Sequence, residues 1–70
     1  MNAEVVFEVT QDGDEGYIAE CLTEAIVTQG DSWDELRQNV LEAVRAFFFD
    51  AEVPDTVRIR FVRDEFLAVG

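Results

Sequence analysis

Val5, Phe7 and Val9 alternate with Val6, Glu8 and Thr10, the period-two pattern of a strand with one buried face. Gln11-Asp12-Gly13-Asp14-Glu15-Gly16 follows, glycine-rich and acidic, and reads as a hairpin loop. Tyr17 to Leu22 is a second strand, with Tyr17, Ala19 and Cys21 on one face and Ile18, Glu20 and Leu22 on the other. After the break at Thr23-Glu24, Ala25 to Thr28 is a third. These short connections favour antiparallel neighbours.

The period then changes. Leu36, Val40, Ala43, Val44 and Phe47 recur at helical spacing, and Trp33, Leu41 and Phe48 widen the stripe to an arc of roughly 160°. The helix is expected from Trp33 to Phe48 or Phe49. Arg37 falls inside the arc and must extend its head group to water or find a partner. Glu42 and Arg45 have i, i+3 pairing distance. Ser32 and Glu35 have capping-box spacing, so the serine hydroxyl accepts from the Glu35 N–H and the glutamate reaches back to the Ser32 N–H. Asp31, Asp34 and Glu35 put negative charge where the helix dipole favours it.

Glu52-Val53-Pro54-Asp55 stops the helix. Val57, Ile59 and Phe61 alternate with Arg58 and Arg60 as a fourth strand, and residues 66–69 are a candidate fifth. The expected fold is α+β: a small antiparallel sheet of three to five strands with one helix on one face, order β-β-β-α-β(-β). Residues 1–70 are read as a single domain near the lower size limit for independent folding, which points to self-association.

Charge narrows the function. Sixteen Asp and Glu stand against five Arg, with no Lys or His, for a net charge of −11. Direct nucleic-acid binding needs clustered cations and is not expected, nor is docking on an anionic membrane. A basic protein partner fits, as does solubility through self-repulsion. Cys21 is the sole cysteine, so no internal disulfide forms, which suits a cytoplasmic protein. No signal peptide or membrane span is visible.

Catalytic chemistry has few footholds. Without His there is no imidazole base or triad, and one Cys cannot build a thiolate zinc site. Cys21 reads as a core residue rather than a nucleophile. Asp12, Asp14 and Glu15 lack the ligand spacing of a calcium loop, and Gly13 and Gly16 belong to no phosphate loop. Glu8 and Glu20, mid-strand on outward faces, could pair as metal ligands or as acid and base; two solvated strand residues are the simpler reading. No catalytic, cofactor or metal residue is assigned, and a non-enzymatic protein is expected. The candidate partner-interface residues are Glu8, Glu20, Trp33, Phe48, Phe49, Arg58 and Arg60. Arg58 and Arg60 share a strand face and have Glu8 or Glu20 as cross-sheet partners. Core packing is the default for Trp33, Phe47 and Phe48, whereas Phe49 lies off the stripe.

Three runs together resemble the HicB-like antitoxin family: Val5-Val6-Phe7-Glu8-Val9; Gly16-Tyr17-Ile18-Ala19-Glu20; and Thr28-Gln29-Gly30-Asp31-Ser32-Trp33-Asp34-Glu35-Leu36 with Asn39-Val40 and Ala43-Val44 beyond it. The resemblance covers nearly the whole chain and implies a partial RNase H-like fold. It implies binding to a HicA-like toxin, a small basic mRNA-cleaving protein, whose active site the antitoxin covers, and a tendency to homo-oligomerise. Full antitoxins of this kind carry a carboxy-terminal DNA-binding domain; none lies within residues 1–70, so autorepression is not expected. Leu22-Thr23-Glu24-Ala25 stands where many members have Pro-Gly-Cys. The kinship leaves two alternatives: a degenerate metal-dependent nuclease built on Glu8, Glu20 and the acidic loop, or an orphan homo-oligomeric domain without a toxin.

Overall fold

The computed structural model describes residues 4–13, 16–63 and 65–70. Its elements run β1 (Glu4–Asp12), β2 (Gly16–Cys21), β3 (Val27–Gly30), α1 (Trp33–Phe47) and β4 (Thr56–Val62). The α+β class and the element order are as the periodicity predicts. The sheet order is β3-β2-β1-β4.

The sheet is mixed rather than wholly antiparallel. β2 pairs antiparallel with both β1 and β3, but β4 pairs parallel with β1. The cause is the helix. β3 and β1 run the same way, and a strand that returns across the sheet after a helical crossover comes back parallel to them.

Local chemistry moves several boundaries. β1 continues to Asp12, which pairs with Gly16, so Gln11 and Asp12 belong to the strand and the turn is tighter than expected. Gly13 adopts a φ of 71°, which a residue with a side chain reaches only under strain. Asp14 and Glu15, half of the acidic loop weighed as a cation site, lie outside the described residues. β3 starts at Val27, two residues later than expected. The Cys21 N–H donates to the Ile26 carbonyl at 2.9 Å and the Ile26 N–H to that of Glu24 at 2.9 Å, which bends residues 22–25 out of the strand. Residues 66–69 form no fifth strand; they extend from the body with Phe66 93% and Val69 97% exposed.

One face of the sheet carries the core. Val5, Phe7, Val9, Ala19 and Cys21 meet Leu36, Val40 and Val44 of the helix, and Ile26 closes one side. Phe7, Val9, Leu36 and Val40 are the largest fully buried side chains. The helix lies on β3 and, less extensively, on β2. It therefore covers β4 less fully, and Val57 and Ile59 are half-buried against the edge of the core. Most of the wide apolar arc packs on the core, but Leu41 and Phe47 remain over 40% exposed. Arg37 stays outside, reaching Asp34 at 3.7 Å.

Candidate protein-interaction site

The helix is fixed by a lock at its amino terminus. Gly30 is buried, and a Cβ built on it would lie 2.5 Å from the Leu36 nitrogen and 2.7 Å from the Leu36 Cα. No alanine fits there without moving backbone. The Ser32 hydroxyl accepts from the Glu35 N–H at 3.1 Å. The Glu35 carboxylate reaches one residue further back than a capping box requires and accepts from the Asp31 N–H at 2.9 Å. Asn39 ties the next turn of helix to β3, donating to the Gln29 carbonyl at 2.7 Å. Thr28-Gln29-Gly30-Asp31-Ser32, Glu35 and Asn39 are thus a structural joint between edge strand and helix.

Among the described residues no helix lies on the sheet's outer face. Register puts Glu8 directly opposite Glu20 on the two inner strands, and Arg60 opposite Glu8 on the other side. Val27 stands opposite Glu20, completing a row across four strands. The neighbouring row is Gln29, Ile18, Thr10 and Val62. Sequence reasoning placed Glu8 and Glu20 on this face; their opposition depends on hairpin register, which the tight turn decides. Like charges directly opposite destabilise a sheet. Among the described residues neither glutamate has an ion-pair partner, and Arg58 turns instead to Glu4, at 3.3 Å. The face is a mixed surface: acids at the centre, with Val6, Ile18 and Leu22 around them and Leu22 51% exposed. Among the described residues no group of three or more His, Cys, Asp or Glu converges to hold a metal ion.

Trp33 is half-buried on the other face. It makes edge-to-face contacts with Tyr17 at 5.4 Å and Phe61 at 5.7 Å, and Tyr17 meets Phe61 at 6.0 Å. The rings touch one another, so they form a packed aromatic corner and not an open cage. Tyr17 and Phe61 went unmarked at the sequence level because their meeting needs β2 and β4 bridged by the helix start. Phe48 is half-buried beside Phe47, centroids 5.0 Å apart, whereas Phe49 is 81% exposed. The interface candidates therefore occupy three places: Glu8, Glu20, Arg58 and Arg60 on the outer face, Trp33 at the aromatic corner, and Phe48 and Phe49 at the helix end.

A groove of about 190 Å³ opens between α1 and β4, lined by Arg37, Val40, Leu41, Val57 and Ile59. Four of the five arginines (Arg37, Arg58, Arg60 and Arg63) lie on β4, just after it, or across this groove. Cys21 is buried with its thiol 3.5 Å from the Thr23 hydroxyl, a core position. No helix among the described residues is long and apolar enough to cross a membrane.

A UPF0150 protein of Thermotoga maritima is 41% identical over 66 residues, 94% of this chain and 93% of the relative. No family model and no solved structure matches the chain.

Proposed function

The chain belongs to the UPF0150 family, and we propose that it acts as a non-catalytic, cytoplasmic antitoxin module of the HicB-like kind, self-associating and binding a small basic mRNA-cleaving toxin. The observation that carries this reading is the uncovered sheet face with Glu8 and Glu20 opposed at its centre. Such a pair weakens the free protein and gains a counter-charge when a cationic surface arrives. The apolar rim of Val6, Ile18 and Leu22 supplies area to bury around it. The net charge of −11 would steer a basic partner inward from a distance.

The test is co-expression with any small basic protein encoded beside this chain. Expected are co-purification and rescue of growth from that protein's toxicity. Glu8→Arg combined with Glu20→Arg should weaken capture at least about tenfold, or 1.4 kcal/mol, while the circular dichroism spectrum stays the same. Capture undiminished by the double reversal would place the binding surface elsewhere. Magnesium-dependent RNA cleavage by the purified chain, lost in Glu8→Gln, would favour a nuclease built on the same pair.

A further inference from the structure

We propose that the segment 66–69 of one copy docks as an added strand on β4 of a second copy, filling the α1–β4 groove. The inference rests on the self-association part of the reading above and specifies its contact. β4 is an edge strand, so among the described residues one row of its backbone N–H and C=O groups has no strand beside it. The groove next to that edge is lined by Val40, Leu41, Val57 and Ile59, and the helix does not close it. The material to fill it is already on the chain. Phe66-Leu67-Ala68-Val69 carries no charge, and Phe66, Leu67 and Val69 are 93%, 78% and 97% exposed.

The shape agrees. The radius of gyration is 14.0 Å, against about 11 Å for a compact chain of this length. The long axis is 55 Å, well beyond the about 30 Å that the nine residues of β1, the longest strand, span. The segment projects beyond the sheet and so can reach a neighbour.

Side-chain parity chooses the docked face. Val62, opposite Thr10, is an outer-face residue, and alternation counted on from it through an extended segment puts Phe66 on the outer side. Strand alternation continued from Phe66 then puts Leu67 and Val69 on the helix side. An antiparallel two-fold pairing about the end of β4 keeps the helix sides of both copies together. Leu67 then faces Ile59 of the second copy and Val69 faces Val57, beneath Leu41. Phe66, on the outer side, covers Arg60, which has no ion-pair partner among the described residues. Main-chain pairing supplies adhesion, and the alternate side chains supply register. Two-fold symmetry makes the contact twice.

Sedimentation equilibrium on the full chain tests this with Leu67→Asp combined with Val69→Asp. Both positions are exposed in the protomer, so the variant should keep the helix signal at about 222 nm and a cooperative melt. The expected result is a wild-type dimer and a variant with the mass of one chain. Isotope-filtered nuclear Overhauser spectra of mixed labelled and unlabelled wild type should show Leu67 and Val69 methyl contacts to Val57 and Leu41 across copies. A wild type that stays monomeric at high micromolar concentration overturns self-association and this contact together. A variant that keeps the wild-type mass overturns the contact but leaves self-association standing. Methyl contacts found only within one chain would mean that the segment folds back on its own β4, which also overturns the proposal.

Discussion

Gly30 has no space for even a methyl group, because the first turn of the helix lies against it as backbone on backbone. The clash involves main-chain atoms that cannot rotate away. Gly30→Ala should therefore cost more than Ser32→Ala, although alanine is the milder change elsewhere. Loss of the Ser32 cap should cost about 0.5–2 kcal/mol, read by urea denaturation. Gly30→Ala should exceed that and shift the helix start; an equal or smaller loss would mean that the strand–helix joint yields. Asn39→Ala should cost about 0.5–1.5 kcal/mol by leaving the Gln29 carbonyl without its 2.7 Å bond. Much of this joint was legible beforehand. Ser32 and Glu35 announce a cap by spacing alone. The reason for Gly30 was hidden, since a glycine after a strand suggests a turn, and only the three-dimensional approach of Leu36 shows why no Cβ is tolerated.

The elements follow from periodicity where burial is one-sided. β1, β2, β4 and α1 could be placed because their inward residues face one core and their outward residues do not. The third strand slipped by two residues: Ala25 and Ile26 look like strand, and a pair of main-chain hydrogen bonds bends them away. The parallel pairing of β4 was not legible, because strand direction after a helix depends on which edge the crossover reaches. Glu8 and Glu20 could be placed on the outer face and weighed as a pair on adjacent strands, but alternation fixes only faces, and register is what sets them opposite each other. The same one-sidedness separates helix residues of similar chemistry. Leu36 is fully buried and Leu41 is 43% exposed. Leu36→Ala should cost about 2–5 kcal/mol. A domain this size rarely holds more than about 3–5 kcal/mol in total, so the variant should be largely unfolded at 25 °C. Leu41→Ala should cost under about 1 kcal/mol in the single chain. Comparable thermal melts for the two would mean that the helix is rotated from the orientation described.

The whole molecule carries far more negative than positive charge, and the pairs Arg37–Asp34 and Arg58–Glu4 are exposed. Exposed pairs contribute little, so the dominant electrostatic contribution to folding is general repulsion. Raising sodium chloride from about 0.01 M to about 1 M shortens the screening length from about 30 Å to about 3 Å and should raise the melting temperature. A flat or falling melting temperature would mean that specific pairs outweigh the net charge. The arginine distribution adds something that net charge does not. With Arg37, Arg58, Arg60 and Arg63 gathered along one flank, the centres of positive and negative charge do not coincide. The body is an electric dipole, and a dipole experiences torque in an electric field. It would rotate while still separated from a charged neighbour, so that the angle of approach is selected before any surface touches.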